Sequence, residues 1–309
     1  MDKTLNEQIA EVMNNSSYSE QKKKSELKKI GLRGKDIYAI SMLYKVQQTP
    51  APAAAPQRTR TTRPAPVFHT LGIEMECFNV ATDAIEKMHA KGLKVQPENY
   101  NHTTKNYFKV VTDASIRGHR AAEFVSPVLT AKEDLNNLKK LCETLQETGA
   151  EVNKTCGLHV HVGLQKISFE TYKNIFINYS LLEKAIDKFM AKSRREDNNQ
   201  YSKSLQINSE YAERLARSNN YSDISSLYYD GRYFKVNPIS IERHNTIEFR
   251  QHQGTIDFEK INNWINFITK LIEFSKETRL EIEINDIENI PFLTKKEKQY
   301  FINRAAVLG

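Results

Sequence analysis

The sequence predicts an α+β protein, with a mainly antiparallel sheet, helices packed on one side of it, and a small helical arm in front. Two observations carry this. From about residue 67 the apolar periodicity switches back and forth between two and 3.6, and five of the nine prolines, Pro50, Pro52, Pro56, Pro64 and Pro66, crowd into one stretch ahead of that point. The chain therefore divides into a basic arm (1–46), an extended Pro/Ala/Thr/Arg linker (47–66) and one main domain (67–309).

In the arm, Leu27, Ile30, Leu32, Ile37, Ile40 and Leu43, with Gly31 and Gly34 between them, predict two short helices joined by a turn within 19–44. Strands follow at 70–80, 107–112, 121–127, 158–164, 233–237 and 246–252, and amphipathic helices at 132–148, 169–195 and 258–278. Asp257 is placed to cap the last of these helices and Gly149 to stop the first. Trp264 falls at helical spacing among aliphatic residues and reads as core. The run 192–200, rich in basic and amide residues, reads as a solvated loop, with a lid over the site as the alternative.

Charge is unevenly spread. Residues 1–66 hold 12 Lys and Arg against 6 Asp and Glu, while the remainder holds 33 against 32. A main domain that grips nucleic acid by bulk charge is therefore excluded, and only the arm could dock on nucleic acid or an acidic partner. Cys77, Cys142 and Cys156 lack the spacing of a zinc site or a disulfide framework, so they read as packing thiols in a reducing compartment. No segment is apolar enough for a membrane span or a secretory signal. A soluble cytoplasmic protein with no membrane partner is expected.

The chemistry lies on the strands. Residues i and i+2 of a strand share a face. Glu74 and Glu76 alternate with Ile73, Met75 and Cys77, His159 and His161 alternate with Leu158, Val160 and Val162, and Glu248, Arg250 and His252 alternate with Ile247, Phe249 and Gln251. A single Glu-x-Glu or His-x-His is usually a solvated face. Three such strands together, each with a core-like opposite face, point to a cation that neutralises the like carboxylates. Oxygen-rich donors with an imidazole suit Mg²⁺ or Mn²⁺, and an adjacent Arg suits phosphate. With no glycine-rich phosphate loop in the sequence, the phosphate site would be lined by strands. Glu123, after two alanines and before Phe-Val, is too apolar in context to be idle. Asp113 reads equally as a turn residue ahead of Ser115 or as a further carboxylate near one mouth of the site.

The ordered set Gly72-Ile73-Glu74-Met75-Glu76, Asp113-Ala114-Ser115, Glu123-Phe124-Val125-Ser126-Pro127, Cys156-Gly157-Leu158-His159-Val160-His161-Val162, Asn237 and Glu248-Phe249-Arg250 resembles the amidoligase family of bacteria and phages. That family is similar in fold to glutamine synthetase and γ-glutamylcysteine ligase. The resemblance covers roughly residues 68–275. One departure is that the family's glycine close before the glutamate matched to Glu123 has no counterpart here, Gly118 lying five residues upstream.

The resemblance implies a strand-built active-site funnel, glutamine synthetase-like, that holds ATP and two or three Mg²⁺ (or Mn²⁺) ions. Glu74, Glu76, Glu123, His159 and Glu248 would be metal ligands. His161, Arg250, Arg232 and Asn237 would contact nucleotide or acceptor, and Arg250 would hold the departing γ-phosphate. Glu123 and Asp113 would be the candidates for proton transfer. The implied reaction joins a carboxylate to an amine through an acyl phosphate, with a peptide, cell-wall fragment or protein side chain as partner, in the bacterial host cytoplasm if phage-encoded. Two other readings stand beside it: a non-catalytic structural or interaction protein, virion- or nucleic-acid-associated, that keeps the fold, and a metal-dependent hydrolase led by His159 and His161. The absence of an eightfold strand–helix alternation counts against the hydrolase.

Overall fold

The computed structural model describes residues 5–33, 69–205, 209–228 and 231–309. The chain forms two compact units, Met1–Pro66 and Val67–Gly309. In the first, helices α1 (Leu5–Asn14) and α2 (Glu20–Lys29) pack through Met13 and Leu27. Ser19 caps α2 by accepting from the Lys22 amide, and Gly31, at φ 92°, turns the chain after it. Of the two helices expected within 19–44, α2 is one. The span from residue 34 and the proline-rich stretch 47–66 lie outside the described residues, and the sequence reading assigned no element to α1.

The second unit is an α+β fold built on a seven-stranded mixed sheet. Its strands are β1 (Leu71–Cys77), β2 (Val95–Pro97), β3 (Phe108–Val111), β4 (Ala122–Val125), β5 (Leu158–Gly163), β6 (Val236–Asn237) and β7 (Thr246–Phe249). They lie in the order β2-β3-β4-β1-β5-β7-β6, so that β1 and β5 are central. Only the β2–β3 pair is parallel; the other neighbours run antiparallel.

One face of the sheet is apolar. Ile73, Met75, Phe124, Leu158, Val160, Ile247 and Phe249 are buried on it, beneath helices α4 (Asp134–Glu147), α5 (Phe169–Asp187) and α9 (Phe258–Glu277). Cys142 of α4 meets Met75 at 3.8 Å, and the Tyr179 ring of α5 lies tilted against Phe249, 5.9 Å between centres. Asp257 caps α9, accepting from the Glu259 and Lys260 amides, and Gly149, at φ 77°, ends α4 with the Ala150 amide returning to Leu145. All three cysteines are buried and unpaired, and burial pushes the Cys77 thiol up to about 12. No helix among the described residues is long and apolar enough to cross a membrane.

Several elements are absent from the sequence reading: α3 (Ala84–Ala90), β2, α6 (Ser209–Arg217), α7 (Tyr221–Ser226), α8 (Ser240–His244) and the C-terminal α10 (Lys295–Leu308). Others are shorter than expected. The helix expected over 169–195 stops at Asp187, because Phe189 turns into a cluster with Trp264, Phe267 and Phe301. Asp187 also meets a stronger competitor than the next helical turn. Lys235, with no exposed side-chain surface, reaches Glu183 (2.7 Å) and Asp187 (2.9 Å), and the Glu196 amide donates to Asp187 as well. The strand expected over 233–237 shrinks to β6, and that over 246–252 to β7. Beyond β7 the chain stays tethered by the Arg250 amide, which donates to the Lys235 carbonyl at 2.8 Å.

Lys235→Met removes the cation shared by the buried Glu183 and the half-buried Asp187 and should lower stability by about 3–5 kcal/mol, measured by urea unfolding; a loss below 1 kcal/mol would show the network to be marginal. His252 is buried, bonded through Nδ1 to the Gln253 carbonyl, with the Arg304 guanidinium 3.5 Å from Nε2. Burial, then the Arg304 charge, pushes it down to about 3. The unfolded chain therefore takes up this proton first, so the contribution of neutral His252 is complete above about pH 6.5 and is lost as pH falls toward 3. The stability gap between wild type and His252→Gln should narrow through that window by up to about 1.4 kcal/mol per pH unit. A constant gap would contradict it.

Candidate active site

The strand register gathers the ionisable residues. Glu76 stands opposite Glu123, Glu74 opposite His159, Gly72 opposite His161, and Glu248 between His161 and Asn237. Cross-strand partners project to one face, so all of these side chains share the face that α4, α5 and α9 leave uncovered. Except for Glu74, whose side chain keeps 27% of its surface, they are buried.

Each carboxylate has a partner that explains its state. Glu248 accepts from Arg250 Nη1 and from Asn237 Nδ2 at 2.6 Å. Burial alone would raise its pKa, but Arg250, His161 and His159 hold it down at about 2. Glu74 lies 3.1 Å from His159 Nδ1 and 3.4 Å from His161 Nε2. Against the push of burial, the two imidazoles keep it well below the usual carboxylate range. Glu76 accepts the Gly157 amide at 2.6 Å. Glu123 has less compensation. Burial first, and then the charges of Glu74, Glu76 and Asp113, push it well above the usual carboxylate range, against the opposing charge of Arg250.

His161 shows most directly that the donors suit a metal. Its Nδ1 is fixed by Thr246 Oγ1 at 3.0 Å, while its buried Nε2 has no hydrogen-bond partner among the described residues and faces the carboxylates of Glu74 and Glu248. An imidazole with one nitrogen held and the other facing carboxylates is the usual arrangement of a metal ligand. Three groups offer donor atoms within 4.8 Å of one another: Glu74, His161 and Glu248; Glu74, Glu123 and His159; and Glu76, Asp113 and Glu123. Clustered acidic and imidazole donors of this kind suit a hard divalent ion such as Mg²⁺ or Mn²⁺. Asp113 accepts the Ser115 amide at 2.7 Å in a turn, and one of its oxygens lies within reach of Glu76 and Glu123 in the third group.

Two cavities meet at this face. The larger, of about 680 Å³, runs from Glu74, His161 and Glu248 out to Lys109, Arg243 and His244. The smaller, of about 500 Å³, is bordered by Glu76, Asp113, Ser115, His159 and Arg194. Glu74, Glu123, Arg250, Arg232, Tyr100 and Tyr233 line both. Arg232 is thus where a ligand spanning the cavities would pass, with its guanidinium 5.4 Å from the Tyr233 ring centre. Asn237 lines the larger cavity, yet both ends of its amide are taken, Nδ2 by Glu248 and Oδ1 by the Ile239 amide.

The loop 192–200 departs from its sequence reading. It is not simply solvated: Arg194 sits on a short 3-10 turn (Lys192–Arg194), only 3% exposed, with Nη2 donating to the Cys156 carbonyl at 2.7 Å. Burial lowers its pKa to about 10, which still leaves it charged at neutral pH. Just beyond the loop, the Tyr201 carbonyl accepts from Arg250 Nε. Sequence reasoning also missed His244, 5.7 Å from His161 in an edge-on contact, and Thr246, which sets the orientation of His161. Arg194 gave no signal among the neighbouring basic and amide residues. His244 and Thr246 flank Asn245, whose left-handed conformation (φ 51°) closes α8 directly before β7 and could have flagged the turn.

Residues 69–272 match the family model described as "Putative amidoligase enzyme". No curated protein matches the chain. With two thirds of its length matched, the chain belongs to the amidoligase family, and its clustered Glu and His residues fit a ligase or metal-dependent catalytic site.

Gly157 offers a test of the geometry. A Cβ there would lie 2.9 Å from His159 Nε2 and 3.2 Å from Arg194 Nη2, and both are far ends of flexible side chains. The displacement falls on the site and not on the fold. Gly157→Ala should therefore weaken Mn²⁺ binding about tenfold or more, as loss of a ligand-orienting contact does, with the thermal midpoint close to wild type. Unchanged Mn²⁺ affinity, read by electron paramagnetic resonance, would remove His159 from the site.

Proposed function

We propose that the protein is an ATP- and Mg²⁺-dependent carboxylate–amine ligase that forms an amide through an acyl phosphate, its sheet playing the part of the strand funnel in the glutamine synthetase group. The observation that carries this is the meeting of two cavities at one wall, Glu74, Glu123 and Arg250, where three overlapping donor groups converge. A reaction that brings a nucleotide and an acceptor together across a metal-assisted phosphoryl transfer needs such a plan. Family membership supports the same reaction class.

Glu74, Glu76, Glu123, His159 and Glu248 would hold the Mg²⁺ ions, or Mn²⁺ in their place, with His161 facing the same ions from the nucleotide side. Bound metal would supply neutralisation of the phosphate charge. In the reaction, a carboxylate oxygen attacks the γ-phosphorus while the bond to the β–γ bridging oxygen breaks and ADP leaves with the electron pair. The amine then adds to the acyl carbon, expels inorganic phosphate and gives up a proton. Arg250, braced by Glu248, would face the transferring phosphoryl group, where preorganised charge acts most strongly. Arg232 would contact whichever ligand crosses between the cavities, and Asn237 would serve nucleotide binding by orienting Glu248. Glu123 and Asp113, on the smaller cavity, would take the proton of the amine. ATP as cosubstrate makes the cytoplasm the site of action, and the basic arm would dock the enzyme on a partner or nucleic acid.

The test is ATP turnover with a panel of carboxylates and hydroxylamine as a general amine, reading ADP and hydroxamate together. Wild type should yield the two in equal amounts with at least one carboxylate. Glu76→Gln and Arg250→Gln should each reduce the rate by about 10²-fold or more while remaining folded by circular dichroism. Turnover by both variants at the wild-type rate would reject the assignment.

A further inference from the structure

Lys109 and Arg243, the Lys and Arg side chains that line only the larger cavity, are both held by neutral groups. Lys109 is 4% exposed, and its ammonium donates to the Asn101 carbonyl at 3.0 Å and to Asn101 Oδ1 at 3.3 Å. Arg243 Nη1 lies 3.2 Å from His102 Nε2. A guanidinium has no acceptor, so that imidazole nitrogen is the one that accepts. Among the described residues neither cation has a carboxylate within ion-pair distance. For Lys109 this is unusual, since buried charges are ordinarily paired.

Asn101 and His102 are adjacent, at the tip of the 98–107 segment that joins β2 to β3, and residues 100–104 of that segment line the same cavity. The base of the segment is fastened to itself. Glu98 accepts from Tyr107 and, at 2.7 Å, from Asn101 Nδ2, and Lys105 Nζ lies 3.7 Å away. The tip beyond is on the surface, with His102, Thr103 and Thr104 exposed. It therefore reaches into the cavity to occupy two cations with an amide and an imidazole. A charged phosphate oxygen bonds such donors about twice as strongly as a neutral acceptor does, and lysine and arginine both bind phosphate well. A ligand carrying several phosphates in this cavity would claim the same two donors.

We infer that the tip at Asn101 and His102 is an autoinhibitory stand-in for phosphate: it occupies Lys109 and Arg243 until a polyphosphate ligand displaces it, and the 98–107 segment is then released from the cavity. The inference rests on the ligase reading only for taking that ligand to be a nucleotide; a free polyphosphate has the same chemistry. A competing tip and a tip that adds contacts to the ligand differ in sign. Removing a competitor tightens binding, whereas removing a contact weakens it.

The experiment is calorimetric titration of inorganic tripolyphosphate, in Mg²⁺-containing buffer, into wild type, the double variant Asn101→Ala/His102→Ala, and Lys109→Met. The double variant should bind about fivefold or more tighter than wild type, the worth of one lost competing hydrogen bond, and Lys109→Met about tenfold or more weaker. In wild type, saturating tripolyphosphate should speed hydrogen exchange of the 99–105 amides, a comparison that stands even if a variant fails to fold. The inference is overturned if wild type does not bind tripolyphosphate, if the double variant binds it no more tightly than wild type, if Lys109→Met binds it as wild type does, or if exchange in 99–105 is unchanged or slowed. The same gain with a non-hydrolysable ATP analogue identifies the ligand as a nucleotide, and a gain with tripolyphosphate alone identifies it as a free polyphosphate. Turnover does not enter this readout, so failure of the ligase reading would appear separately, as absent ADP release with the gain intact.

Discussion

Glu76 and Glu123 stand directly opposite each other on adjacent antiparallel strands, both buried, with Glu74 and Asp113 alongside. Like charges in that relation oppose the pairing of their own strands, and much of the surrounding structure answers this one constraint. Glu76 is met by the Gly157 amide, Glu74 by two imidazoles, and Glu248 by Arg250 and Asn237. Glu123 is pushed well above the usual carboxylate range by burial and by these neighbours. A sheet selected only for stability would have no use for such a face, since apolar residues of similar volume would pack there at less cost. The arrangement makes physical sense as a place for added positive charge.

The apolar side supplies the rigidity that this requires. Met75, Val160 and Phe249 alternate with the charged residues and lock their strands beneath α4, α5 and α9. The Lys235, Glu183 and Asp187 network then ties α5 to the segment beside β6, and the Arg250 amide is bonded to the Lys235 carbonyl. Helix α10 completes the support. Its Phe301 packs on Phe189, and its Arg304 donates to the Phe189 carbonyl, below the loop that presents Arg194. Groups far from the chemistry thus fix the two guanidinium groups that face the smaller cavity most deeply.

The central strands were legible in the sequence because period-two alternation survives even when the polar positions are charged. Glu74, Glu76, His159, His161 and Glu248 could all be assigned to one face from i, i+2 spacing, and the register across strands then brings them together. The edges were less legible. β2, three residues long, is too short for periodicity to speak, and β6 keeps only the last two residues of the strand expected over 233–237. The end of α5 was misread because Phe189 and Met190 continue an apolar pattern while tertiary packing turns the chain away. Helix α10 carried an available signal, since Thr294 and Glu297 form a capping box, but its helix buries only Phe301 fully and shows little amphipathic contrast. Arg194 was illegible for a different reason: its burial depends on the Cys156 carbonyl and Gln251, which lie far from it in sequence.

If the charged strand face holds divalent cations between two ligand cavities, anomalous diffraction from crystals of the full chain grown with Mn²⁺ and a non-hydrolysable ATP analogue will locate them there. Mn²⁺ peaks are expected at bonding distance from Glu74 and Glu76, shared with His159 or His161, Glu123 and Glu248, with nucleotide phosphates reaching them from the larger cavity. A structure in which nucleotide and Mn²⁺ are bound elsewhere, or in which these carboxylates pair only with Arg250 and the two histidines, would contradict it.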